Sequence, residues 1–283
     1  MDALKASYAD SSTDSDSDFP PDVSRNLRPT NPETAAAAEP LPPPPLSHLN
    51  PPNFARPITR ERGISSRIRS FPHVEGNYAL HVFIPVLIPQ PTKELAQFLK
   101  RVSAHVPDLH AVDIDIPLHS LCNDDQRLEH VSLGREFHIS LGRTVPIRVH
   151  QIGSMVTMLR QNLQSQRRYW IDFSKWEVFV NDDRTRTFLS IEVTSGGFAE
   201  IMKQIQAVDY VYKLHNLPQF YKDPRPHISL AWALGDISDL LRRVVGQEVK
   251  KHTSIAGSSL KRIFTVQFGG INCKIGNKTY KIC

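Results

Sequence analysis

The chain has 283 residues, 40% of them hydrophobic and 22% charged, with a formal net charge of +5. No run approaches the 18 or more apolar residues of a membrane-spanning helix, and the acidic, serine-rich start lacks the apolar centre of a secretory signal. Three unpatterned cysteines, Cys122, Cys273 and Cys283, argue against a disulfide framework or a zinc site and for a reducing compartment, nucleus or cytosol.

The charge is unevenly divided. Residues 1–55 hold eight Asp/Glu against three Lys/Arg, a net of −5, so residues 56–283 carry +10. Such a basic portion suits a polyanion, because neutralising phosphates releases condensed counterions; a merely solvated surface fits the same number. Residues 1–60 contain twelve of the 22 prolines and few large apolar side chains to offset the entropy of ordering, so a disordered tail is expected there. Between Arg56 and Arg69 lie five arginines, a weak signal for nuclear import or contact with an RNA backbone.

The globular part follows, over residues 64–283. Residues 77–88 are rich in Tyr, Val, Ile and Phe and predict a strand. Pro91 opens a helical pattern in which Leu95, Phe98, Leu99 and Val102 recur at spacings of three and four. A strand is expected over 136–143 and a helix over 147–164. Residues 176–180 and 187–193 read as an antiparallel pair across the polar turn Asn181-Asp182-Asp183-Arg184. Gly196-Gly197 breaks the chain before a helix over 198–215. A strand starts at His227 and a short helix covers 237–245. Residues 263–268 with 274–281 form a closing hairpin turned at Gly276-Asn277. Hairpin-like loops and alternating strand faces favour an α+β fold of antiparallel sheets flanked by helices over a doubly wound parallel sheet. There is no GxGxxG or P-loop spacing, and no nucleotide cofactor is indicated. Trp170, Trp176 and Trp232 are expected in the core, and Arg186 and Glu192 in ordering the sheet.

One tetrapeptide occurs twice: His138-Ile139-Ser140-Leu141 and His227-Ile228-Ser229-Leu230. In a strand, residues i and i+2 share a face, so each segment presents an imidazole beside a hydroxyl, with Ile228 and Leu230 turned to the core. Pro226, lacking an amide hydrogen, suits the start of the second strand. If the two strands lie side by side, two imidazoles and two hydroxyls converge on one groove. That set suits phosphodiester chemistry without a metal. One neutral imidazole accepts a proton from an attacking hydroxyl, and the other, protonated, gives one to the leaving oxygen. An unperturbed pKa of about 6.5 fits histidine for both roles. The hydroxyls can donate to non-bridging oxygens, and in RNA the 2′-hydroxyl is the natural nucleophile. The other histidines of the globular part, His81 among them, have no repeated partner and are expected to be structural or exposed.

Two His-x-Ser strands 89 positions apart resemble the signature of the 2H phosphoesterase superfamily. The likeness extends through Arg67-Ile68-Arg69-Ser70-Phe71-Pro72-His73, Gly76-Asn77-Tyr78-Ala79, Thr185-Arg186-Thr187-Phe188, Glu192-Val193-Thr194-Ser195-Gly196, Phe220-Tyr221-Lys222-Asp223-Pro224 and Cys273-Lys274-Ile275-Gly276-Asn277-Lys278. Together these stretches resemble the U6 small nuclear RNA phosphodiesterase family of 3′-to-5′ exoribonucleases, in colinear order over residues 64–283. The resemblance implies a two-lobed, pseudo-symmetric fold with a central groove. It implies trimming of the oligouridine tail of U6 snRNA, in the nucleus, by a monomer with no metal or other cofactor. The end left behind is a 2′,3′-cyclic phosphate or the 3′-phosphate it opens to.

In that reading His227 is the base, His138 the acid, and Ser140 and Ser229 contact phosphate. Tyr221 matches an aromatic that holds a terminal base or sugar. Ile139, Pro226 and Ile228, next to the motif residues, complete the expected substrate-binding set. Two positions depart from the family. Arg225 stands where a small polar residue can occur, and is expected to add grip on phosphate. Asp182 stands where a glutamine often contacts uracil, and leaves the base preference open. Other 2H activities, on cyclic nucleotides or in RNA ligation, and a non-catalytic RNA-binding module are the competing expectations.

Overall fold

The computed structural model describes residues 74–90, 92–256 and 262–283. The expected tail, the arginine run between Arg56 and Arg69, and Pro91 lie outside them. The described chain forms two antiparallel five-stranded sheets with helices packed on their outer faces, the α+β architecture expected.

Strand β1 (Asn77–Leu87) is the axis of the first sheet. Its apolar run alternates, with Leu80, Val82, Ile84 and Val86 all buried on one face and His81, Phe83 and Pro85 on the other. Leu80 pairs with both Val145 and Ile275, so two neighbours flank β1 on opposite edges. One edge carries β9 (Asn272–Ile275) and then β10 (Lys278–Lys281); the other carries β3 (Glu136–Ser140) and, further along, β4 (Val145–Arg148). Pro85 falls beyond the β1–β9 pairing, which ends at Phe83, the kind of position that tolerates a missing amide.

The second sheet has the order β2-β7-β6-β5-β8, from β2 (His110–Ala111), β7 (His227–Leu234), β6 (Arg186–Val193), β5 (Trp170–Val180) and β8 (Phe264–Gln267).

Each half of the molecule runs strand, helix, motif strand. In the first, β1 leads to α1 (Lys93–His105) and, after the short helices α2 (Leu118–Leu121) and α3 (Asp125–Leu128), to β3 antiparallel to β1. In the second, β6 leads to α5 (Phe198–Leu214) and to β7 antiparallel to β6. α1 buries Leu95, Phe98, Leu99 and Val102 as its periodicity requires. α5 buries Ile201, Ile205, Val208 and Val211 and begins after Gly197, whose φ of 81° suits glycine. The two motif strands, β3 and β7, pack against each other, and this juxtaposition makes the groove.

Four expectations change. Residues 145–148 form β4, and helix α4 (Val149–Leu163) starts only after it. β8 does not join the closing hairpin. The Gly276-Asn277 turn connects β9 to β10, while β8 pairs with β5 in the other sheet, because Gly269-Gly270 (φ 114° at Gly270) lets the chain leave one sheet for the other. Helix α6 (Ser238–Ala256) is longer than the segment 237–245. Trp170 is 60% exposed, whereas Trp232 is buried.

Candidate active site

His138 and Ser140 on β3, and His227 and Ser229 on β7, line one cleft of about 380 Å³ with His81, Asp113, Arg186, Phe188 and Trp232. A larger cavity, about 900 Å³, is walled by α1, β5 and α6 around Phe98, Trp176 and Val245. It contains none of the motif side chains, so the chemistry places the site in the smaller cleft. Strand alternation does the positioning. Ile139 and Ile228 are fully buried on the opposite faces of their strands, and Pro226 is buried with its carbonyl accepting from Val193 N at 2.9 Å. The side chains of Ile139 and Ile228 therefore serve the core and do not line the cleft. A third His-x-Ser-Leu run, at His130, Val131, Ser132 and Leu133, is wound into a π-helical turn. There His130 is exposed and Ser132 Oγ donates to Leu128 O. The tetrapeptide alone does not make a site; the strand does.

Each motif side chain is held by a neighbour. His227 Nδ1 lies 2.6 Å from Arg225 O. A carbonyl only accepts, so Nδ1 carries the proton and, in the neutral ring, Nε2 is left as the base. Phe179 stacks on the His227 ring at 4.0 Å and 18°, and the Arg225 guanidinium lies over the Phe179 ring at 4.8 Å. His138 meets His81 edge-on at 4.9 Å and Phe83 at 5.7 Å. Ser140 Oγ is 3.0 Å from His81 Nε2, and Ser229 Oγ is 3.0 Å from Ser190 Oγ. The Ser190–Ser229 pair sits at a register shift in the β6–β7 ladder, an irregularity of the kind that re-aims side chains beside active sites.

Burial pushes both imidazoles below their ordinary value. At His138 the Asp113 carboxylate acts in the opposite sense, favouring the protonated ring, while Arg135 and Lys274 add to the depression. At His227 the Arg225 carbonyl and Glu192 work against burial.

Arg225 is not among the residues that line the cleft. Its Nε donates to Glu192 Oε1 at 2.7 Å, and its Nη2 donates to Glu192 Oε2 at 2.7 Å and to Glu177 Oε2 at 2.6 Å. Lys175 Nζ completes the cluster, 2.8 Å from Glu177 and 3.7 Å from Glu192. Where a grip on phosphate was expected, the guanidinium is held in an ion-pair network, because two carboxylates on neighbouring strands converge on it. Glu192 and Arg186 sit in the sheet as expected, and Arg186 also lines the cleft.

Tyr221 is 44% exposed. The Arg143 guanidinium lies 4.1 Å over its ring and pairs with Asp182 at 3.0 Å, while Tyr221 OH approaches Asp182 at 3.5 Å. The structure thus joins Tyr221 and Asp182 in one cluster and adds Arg143 to it.

His81, Asp113, Arg143, Phe179 and Ser190 were not singled out from sequence. For His81 a signal existed: it is a polar residue inside the most apolar strand, in phase with Phe83 and Pro85 and out of phase with the core residues. Among the described residues no group of three or more His, Cys, Asp or Glu is arranged to hold a metal ion.

Two antiparallel sheets with facing His-x-Ser strands match the pattern of the 2H phosphoesterases that the sequence resembles. The fold is that of Usb1 from Kluyveromyces marxianus, solved with uridine monophosphate. The likeness has a TM-score of 0.51 at 14% identity and covers 72% of this chain and 97% of that one. A family model described as "HVSL: Uncharacterised conserved protein" matches residues 42–283. The chain is 31% identical over 217 residues to U6 snRNA phosphodiesterase 1 of Mus musculus, covering 76% of this chain and 72% of the relative. With the Homo sapiens protein of the same name it shares 31% over 219 residues, covering 76% and 73%. The chain belongs to the U6 snRNA phosphodiesterase family.

Proposed function

We propose that this chain trims the 3′ oligouridine tail of U6 snRNA from its end, in the nucleus and as a monomer, by metal-independent transesterification. The observation that carries the reading is the convergence of both His-x-Ser strands on one cleft. Phosphodiester cleavage needs one group to take a proton and another to give one. The 2′-oxygen of the penultimate nucleotide attacks the last phosphorus, and its proton passes to His227 Nε2. The bond from phosphorus to the 5′-oxygen of the terminal nucleoside breaks, and that oxygen takes a proton from His138. The shortened RNA is left with a 2′,3′-cyclic phosphate, which water can open to a 3′-phosphate.

Support for this division of roles is local. The Arg225 carbonyl fixes the Nδ1–H form of His227 and leaves Nε2 to accept the proton. Ser140 and Ser229 donate to the non-bridging oxygens, and Tyr221 stacks on the terminal base. The +10 charge of residues 56–283 supports a polymeric RNA over a small cyclic nucleotide.

The test is trimming of oligouridine-tailed RNA in EDTA by the wild type, His138→Ala and His227→Ala. The wild type is expected to trim, and each variant to lose at least ~100-fold in rate while remaining folded. Trimming that survives either substitution would sink the two-histidine mechanism, and wild-type binding without trimming would favour an RNA-binding module.

A further inference from the structure

Both motif serines are met by a side chain from the strand that pairs with theirs. Ser229 is met by Ser190 of β6, and Ser140 by His81 of β1, each at 3.0 Å. Ser190 is fully buried, and His81 lines the cleft with Phe83 stacked on its ring at 5.0 Å. Ser190 stands directly opposite Ser229 in its ladder, whereas His81 reaches Ser140 from two residues before Phe83, the residue opposite it; one partner is a hydroxyl and the other an imidazole.

The imidazole raises a question of direction. Burial, with His138 and Lys274, holds His81 down at about 3, so at neutral pH the ring is uncharged and carries a single N–H. With that proton on Nε2, His81 donates to Ser140 Oγ, and the serine's own hydrogen is free to point into the cleft. With the proton on Nδ1, Ser140 must donate to the ring, and a phosphate oxygen would meet only lone pairs.

We propose that His81 is a positioning residue that carries its proton on Nε2 and so holds Ser140 as a hydrogen-bond donor to the phosphate. This rests on the phosphodiesterase reading of the same cleft. The ring has a second contact that a serine could not make. It meets His138 edge-on at 4.9 Å.

Two measurements decide it. The first is ¹⁵N NMR of histidine-labelled resting protein at pH 7, with the His81 signals assigned by their loss in His81→Gln. A protonated Nε2 is expected, and an Nδ1–H ring would overturn the proposal. This readout uses no substrate, so it stands whether or not the wild type trims RNA, and a failure to trim would count against the functional reading alone. The second is a double-mutant cycle on trimming. His81→Leu is expected to lower kcat ~10-fold, the usual worth of one neutral hydrogen bond, and to cost less than ~2-fold more in a Ser140→Ala background. His81→Gln, whose amide can donate from nearly the same place, is expected to restore most of the rate. Losses that multiply in the double mutant, or a Gln variant as slow as the Leu one, would show that His81 only fills space.

Discussion

Replacing Arg225 by methionine is expected to disturb His227 and the stability of the second sheet, and to leave the grip on RNA unchanged. The Glu192 side chain is 8% exposed, and both of its oxygens are taken by the guanidinium. Removing one partner of a fully buried pair costs about 3–5 kcal/mol. Arg225 is itself 38% exposed, and Lys175 remains 3.7 Å from Glu192, so water and the lysine recover part of that, leaving about 1–3 kcal/mol. In a domain of this size the melting temperature should fall by roughly 3–10 °C.

The pH behaviour has a definite sign. The Arg225 cation lowers His227 and the Glu192 carboxylate raises it. Losing the one and uncovering the other both move the acid limb of kcat/KM to higher pH. Glu177 is held down at about 2: burial acts to raise it, but hydrogen bonds from Lys175 and Arg225 prevail. A carboxylate depressed on folding contributes stability that is present above its unfolded value, about 4.3, and is lost as pH falls toward 2. The methionine variant should lose less stability across that interval than the wild type. Thermal denaturation and kcat/KM, each against pH, with KM for oligouridine RNA at two salt concentrations, read all of this. An unchanged melting temperature with a KM that rises and a shallower salt dependence would refute it and return Arg225 to the phosphate.

The Tyr221 cluster makes a separable prediction. Tyr221→Ala should raise KM about 10-fold or more, since stacking on one base is worth about 1–3 kcal/mol. Tyr221→Phe should change KM less than about 2-fold, because the hydroxyl reaches Asp182 only at 3.5 Å. At the start of α5, Gly197→Ala would place a methyl group 2.7 Å from Trp170 O at a φ of 81°. A loss of at least about 1–3 kcal/mol is expected by denaturant titration, since positive φ and overpacking each cost that order.

What could be read from the chain and what could not divide along physical lines. β1, α1, α5 and the motif strands announce themselves through local period, and the face shared by His227 and Ser229 follows from alternation alone. Pairing between distant strands leaves no such trace. β8 has an ordinary strand composition, and nothing local sends it to β5 instead of to the hairpin next to it. Gly246, just after Val245, reads as a stop, yet α6 runs through it, since one helical glycine costs only about 1 kcal/mol.

Arg225 is the sharpest case. As a cation two residues before a motif histidine it reads as a phosphate contact. Its partners Glu177 and Glu192 lie 48 and 33 positions away and become visible only when β5 and β6 are laid beside β7. The same holds for Ser190 and Ser229, which look unrelated until the strands pair.

In the proposed mechanism the RNA supplies its own nucleophile between two histidines. The most direct measurement is trimming, in EDTA, of an oligouridine-tailed RNA whose penultimate nucleotide lacks its 2′-hydroxyl, beside the all-ribose RNA. Loss of the terminal nucleoside from the all-ribose RNA only, with mass spectrometry showing a 2′,3′-cyclic phosphate or the 3′-phosphate derived from it, is the predicted result. Removal of the terminal nucleotide from the deoxy-substituted RNA at a comparable rate would contradict the account.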